Sequence, residues 1–133
     1  MVAWPTQPEL LVPSVLVTDD NDGWRLAVDE LLRRAGFRTL QAACGEEAIE
    51  IVQSEPVDVA LIDFHMPRLN GLETLRRIRR YARSLPAALM TAHPSEVPPA
   101  EVRSLEIRFV LTKPADGRCI VTVVTQLVRH TWG

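Results

Sequence analysis

Asp63 closes an apolar run, Val57-Asp58-Val59-Ala60-Leu61-Ile62, and Phe64-His65-Met66-Pro67 follows it directly. A second run, Ser14-Val15-Leu16-Val17-Thr18, ends in Asp19-Asp20. Short runs rich in Val, Ile and Leu read as strands buried on both faces of a parallel sheet. Ligands of such sheets bind beyond the carboxyl ends of the strands. Three carboxylates delivered there repel one another at neutral pH unless a cation neutralises them. A small set of hard oxygen ligands favours Mg²⁺, which keeps several waters and takes a phosphate partner. The chemistry implied is a metal-dependent phosphate site.

The elements that must position these acids follow from local signals. After the Ser14–Thr18 strand, Asn21 or Asp22 can cap a helix with Trp24, Ala27, Val28, Leu31 and Ala35 on its apolar face, and Gly36 is placed to end it. Phe37–Ala42 is a second strand. Glu46–Glu55 is a second helix with acidic residues in its first turn, stopped by Pro56. Val57–Ile62 is the third strand. Asn70-Gly71 opens a third helix with Leu72, Leu75, Ile78 and Ala82 inward. Ala87–Met90 and Ile107–Leu111 are strands, and Asp116–Arg129 is a final helix. Between Thr91 and Ile107, Pro94, Pro98 and Pro99 restrict the fourth helix to a short piece, Pro99–Leu105, after an irregular loop. Strands alternating with helices imply an α/β sandwich with right-handed crossovers. Residues 1–13, with three prolines, read as an irregular leader, and 14–131 as one domain.

Composition excludes little beyond extremes. The net charge of -2 gives no global attraction to nucleic acid or to acidic membranes. Among 15 cationic residues Lys113 is the lone lysine, which marks it as a place where a compact charge is wanted. Cys44 and Cys119 lack CxxC spacing and read as reduced thiols. The first residues hold no basic or long apolar stretch, and no segment reaches bilayer-spanning length, so a cytoplasmic location without membrane contact is expected.

Asp19-Asp20, Asp63, Thr91 and Lys113 all fall at strand ends. In this order and spacing the chain resembles the receiver domain of bacterial two-component response regulators. The matching pieces are Val-Thr-Asp-Asp at 17–20, Leu-Ile-Asp-Phe-His-Met-Pro-Arg-Leu-Asn-Gly at 61–71, Met-Thr-Ala at 90–92 and Thr-Lys-Pro at 112–114. The resemblance covers residues 14–130 and implies a flavodoxin-like, doubly wound, five-stranded parallel sheet with helices on both faces. It implies that Asp63 is the phosphoacceptor, served by a sensor histidine kinase or a histidine phosphotransfer protein. It implies that Asp20, Asp63 and the His65 backbone carbonyl hold Mg²⁺, with Asp19 acting largely through the metal's waters. Lys113 would neutralise phosphoryl oxygens and Thr91 would donate to one of them. Such a protein catalyses only its own phosphorylation and dephosphorylation. Lys113-Pro114 also resembles the family's cis peptide.

Each residue also has a plainer reading. Asp19, Asp20 and Asp22 suit turns and caps; Thr91 and Lys113 could be an ordinary hydroxyl and a solvated cation. His65 is placed either to influence phosphoryl lifetime, the reading favoured, or only to face solvent, whereas His93 and His130 read as surface residues. Arg76, Arg77, Arg79, Arg80 and Arg83 read as a solvated basic face on the third helix, with a nucleic-acid stripe as the alternative.

The chain departs from the family at the output side. Receivers carry Tyr or Phe three residues before the lysine, paired with the threonine as a switch; here that position is Val110. Phe109 lies one residue earlier, on the opposite face of a strand. Three readings compete: a phosphorylated switch with an unknown downstream partner, a module working through constitutive contacts, and a small phosphohydrolase, which lacks a second basic clamp. No direct nucleic-acid contact is expected, and the resemblance allows a homodimer through the fourth-helix face.

Overall fold

Three strands have apolar interiors with no polar alternation, and this decides where they lie. In the computed structural model, which describes residues 12–132 and side chains to Arg129, β1 (Ser14–Thr18), β3 (Val59–Asp63) and β4 (Ala87–Thr91) are buried throughout. A strand without polar alternation must be covered on both faces. β2 (Arg38–Ala42) and β5 (Phe109–Thr112) are less buried and take the edges. The sheet order is β2-β1-β3-β4-β5, with every pair parallel. This is the doubly wound, flavodoxin-like α/β sandwich expected.

Helices α1 (Asp22–Arg34), α2 (Gly45–Ser54), α3 (Gly71–Ile78), α4 (Pro99–Ser104) and α5 (Gly117–Trp132) follow the strands in turn. One core joins Leu16, Ile62 and Leu89 to Ala48, Leu75 and Ile78 from α2 and α3. The other joins Val15, Val17, Leu61 and Met90 to Leu32 of α1 and to Ile120, Val124 and Leu127 of α5. Each Val, Leu, Ile or Met side chain among these contributes about 1.5–3 kcal/mol by leaving water. The leader up to residue 11 and the His130 side chain lie outside the described residues.

Several boundaries differ from expectation. β3 begins at Val59, because Asp58 ties the strand entry to Ser14: its backbone N–H donates to the Ser14 carbonyl at 2.9 Å, and its carboxylate accepts from the Ser14 N–H at 2.8 Å. β5 begins at Phe109, after Glu106 takes a positive φ of 54°. The inner face of α1 is Val28, Asp29 and Leu32. Ala27 and Ala35 are exposed, and Trp24 and Leu31 sit half-buried at the margin toward α5.

The basic face on the third helix loses Arg79. α3 ends at Ile78, and Arg79 caps it with its guanidinium turned inward, donating to the carbonyls of Leu105 (3.0 Å), Ala82 (3.4 Å) and Leu85. Arg76 pairs with Glu101 of α4. Like Arg76, the arginines Arg77, Arg80 and Arg83 are exposed, so four of the five remain solvated cations on this stretch. The short α4 and its loop match expectation, with a single 3-10 turn at Pro94–Glu96 before it.

Candidate functional site

Strand register brings the acids together. β1 and β3 are adjacent and pair Thr18 with Ile62, so the next residues, Asp19 and Asp63, emerge side by side. Asp19, Asp20 and Asp63 each offer a carboxylate oxygen within 4.8 Å of the others. Asp19 is fully buried, Asp63 retains 4% exposure, and Asp20 opens to solvent.

Asp19 is fixed from several sides. One carboxylate oxygen accepts from the Asn21 N–H at 2.9 Å, the other from Lys113 Nζ at 2.8 Å, and its carbonyl accepts from Arg25 Nη1 at 2.7 Å. Lys113 Nζ also donates to Asp63 Oδ1 at 3.3 Å. The lone lysine thus bridges the two buried acids across the end of the sheet.

A single ammonium does not balance three acids. Burial pushes the Asp63 carboxyl up to about 6, and the charge of Asp19 beside it adds to the rise, against the opposing pull of Lys113. Burial lowers the Lys113 ammonium, but its hydrogen bonds and attraction to Asp19 and Asp63 together carry it above its ordinary value. The pocket therefore favours additional positive charge. Its donors are carboxylate oxygens alone, which suit a hard divalent cation such as Mg²⁺.

Thr91 ends β4 beside Asp63, through the Asp63–Met90 pairing, and is fully buried. Its hydroxyl accepts from the His93 N–H at 3.0 Å, which leaves its own proton available to donate. Its carbonyl accepts from the Lys113 N–H at 2.8 Å, so the two groups are tied through backbone. Lys113-Pro114 is cis. His65 projects outward, half-exposed, and meets Glu96 at 2.9 Å, while the His93 ring lies 6.2 Å from its own.

Val110 pairs with Leu89 and packs in the Leu89 cluster, on the sheet face that Thr91 shares. Phe109 packs in the opposite cluster. The aromatic ring is therefore on the wrong side of the sheet to follow Thr91, as alternation requires.

Four contributors to the site carried no distinguishing sequence signal. Arg25 is one arginine among many. Asn21 caps α1 and also holds Asp19. Trp24, expected in the inner face of α1, places its ring 5.5 Å from Lys113 Nζ. Gly71 donates to the Phe64 carbonyl at 2.8 Å, and a Cβ there would sit 2.6 Å from the Asp63 carbonyl oxygen. That contact requires glycine, beyond the turn chemistry that Asn70-Gly71 suggests.

Comparison with known proteins agrees with this geometry. The response regulator receiver domain family matches residues 15–125. The transcriptional regulatory protein AfsQ1 of Streptomyces coelicolor is 30% identical over 90% of this chain, which spans 52% of that protein. The chemotaxis protein CheY4 of Vibrio cholerae superposes with a TM-score of 0.80 at 26% identity, covering 87% of this chain and 98% of its own. The receiver domain of the sensor histidine kinase PA1611 of Pseudomonas aeruginosa, solved with magnesium in its active site cleft, shares the fold (TM-score 0.80, 22% identity, 89% of this chain and 98% of its own). Among the described residues no helix is long and apolar enough to cross a membrane.

Proposed function

This chain belongs to the response regulator receiver domain family, and from that membership we propose that it is a Mg²⁺-dependent phosphoacceptor whose acceptor is Asp63. The observation that carries the reading is the position of Asp63: buried at a strand end, beside two further acids, with Lys113 Nζ at 3.3 Å. The donor is a phosphohistidine of a sensor histidine kinase or a histidine phosphotransfer protein.

Asp20, Asp63 and the His65 carbonyl would hold a magnesium ion, with Asp19 beside them, and the bound ion would supply charge neutralisation on the transferred group. The residues of the chain do the rest. A carboxylate oxygen of Asp63 attacks phosphorus in line with the departing imidazole nitrogen; the O–P bond forms as the P–N bond breaks. Lys113, already oriented by Asp19, meets the phosphoryl oxygens, and the Thr91 hydroxyl donates to one of them. Hydrolysis by water later returns the carboxylate. Downstream, the loaded domain changes its contacts with a partner protein.

Incubation with acetyl phosphate and Mg²⁺, followed by intact-mass measurement, tests this directly. The wild type gains one phosphoryl group and Asp63→Asn gains none. A wild type without adduct, under conditions that load other receivers, overturns the proposal.

Val110 in the switch position favours a second reading, a receiver-like module that binds its partner regardless of phosphorylation. Beryllofluoride separates the two: a change in partner affinity or oligomeric state supports the switch, and an unchanged complex supports the module.

A further inference from the structure

Trp24 opens α1 at the point where that helix passes the acid pocket. Its N–H donates to the Asn21 side chain at 2.9 Å, so the backbone beneath the ring is pinned. Its ring faces Lys113 Nζ at 5.5 Å from the centroid, within the range of a cation–π contact. The ring is half-buried and packs against the α1–α5 core, as does Ala115, two residues past the lysine.

The polar edge of the indole does not explain this placement. Among the described residues its N–H is buried without a hydrogen-bond partner, whereas a buried Trp normally finds an acceptor. What the site uses is the face of the ring.

We infer that Trp24 is a positioning residue for Lys113, a π-face that holds the ammonium at the rim of the acid pocket while leaving its N–H donors free for oxygen ligands. The inference rests on the phosphoacceptor reading of the same pocket. An ammonium has three donors, and Asp19 and Asp63 engage two of them. Attraction to a ring face is electrostatic and nearly non-directional, so the ammonium can pivot as its partner changes. When Asp63 becomes an ester, its hydrogen bond passes to a phosphoryl oxygen while Asp19 and the indole keep the ammonium in place. Trp24 touches no reacting atom; it acts only through Lys113.

Two variants, Trp24→Phe and Trp24→Leu, test this. In the unphosphorylated protein, NMR finds the Lys113 ε-methylene protons shifted upfield by the indole. The shift shrinks in the Phe variant and vanishes in the Leu variant. At saturating Mg²⁺, labelling by acetyl phosphate slows about threefold to tenfold in Trp24→Leu and stays within about twofold of wild type in Trp24→Phe. Magnesium affinity is the same in all three proteins. In a Lys113→Met background, Trp24→Leu costs no further rate. Equal slowing by Phe and Leu, wild-type labelling by a folded Leu variant, or a loss that persists without Lys113 overturns the assignment in favour of simple packing. A wild type that takes no label sinks the phosphoacceptor reading alone. The ring-current shift, measured without any phosphoryl donor, still decides whether the ring holds the lysine.

Discussion

The acid pocket and the α4–β5 edge lie a few residues apart and are built in opposite ways. The pocket grows from β1 and β3 in the interior of the sheet, and its buried acid Asp19 receives donors on both carboxylate oxygens and on its carbonyl, while its N–H donates to the Ala42 carbonyl at 3.0 Å. At the edge, α4 has six residues, starts on prolines, has no side-chain cap and buries none of its own residues. Val110 stands half-buried where an aromatic ring would travel, and Arg79 reaches across from the end of α3 to hold the segment by the Leu105 carbonyl. Chemistry placed on interior strands inherits their rigidity. The edge that would relay it depends on few contacts, so the two can change independently.

The largest expected effect is on the pocket. Lys113→Ala removes the charge that faces both buried acids, and labelling by acetyl phosphate slows about 100-fold, the usual consequence of losing one preorganised donor. Intact-mass time courses measure it. Labelling at wild-type rate would mean that the lysine is an ornament of the pocket and would erase the contrast with the edge.

Next comes a stability effect with a definite pH sign. The folded-state pKa of Asp63 is raised to about 6 from 3.8. Below the lower value the group is protonated in both states and costs nothing. As pH rises toward 6 the unfolded chain releases its proton first, so the metal-free fold loses stability across that window and keeps the deficit above it. Asp63→Asn is therefore more stable than wild type near pH 7 in chelator, by on the order of 2 kcal/mol, and equal to it near pH 3. Urea melts at the two pH values check this, and added Mg²⁺ closes the gap.

On the edge, Arg79→Ala strands the Leu105, Ala82 and Leu85 carbonyls and destabilises the fold by about 2 kcal/mol. Labelling by acetyl phosphate is unaffected. Reduced labelling in a folded Arg79 variant would show that the two regions are coupled through the structure after all. The smallest effect belongs to Val110→Tyr, which leaves labelling within about twofold of wild type. It restores a ring on the Thr91 side of the sheet, so beryllofluoride then perturbs more amides of α4 in NMR spectra than in the wild type. Identical spectra would place the block to transmission in α4 itself.

Much of this was legible in the chain. The uninterrupted apolar runs named the interior strands, and the acids at their ends named the pocket, because side chains that end a buried strand emerge at its carboxyl edge. Asn70 as a cap, Gly36 with its φ of 98° and the proline-shortened α4 were equally local matters. The rotation of α1 was not legible: Val28, Leu31 and Leu32 are all apolar, and only packing against α5 selects which of them point inward. Nor was the fate of the arginines. Five of them within a short stretch look alike in sequence, and which one turns in to cap three carbonyls depends on where α3 stops and where Leu105 arrives from far along the chain.

The sequence by itself determined the chemical inventory and its strand addresses, since residue type and periodicity are properties of neighbours along the chain. Tertiary structure alone decided that Asp19 and Asp63 share one ammonium, that Gly71 abuts the Asp63 carbonyl, and that Trp24 offers its face to Lys113. Those relations join residues as many as 94 positions apart, and only strand register and helix packing set such distances.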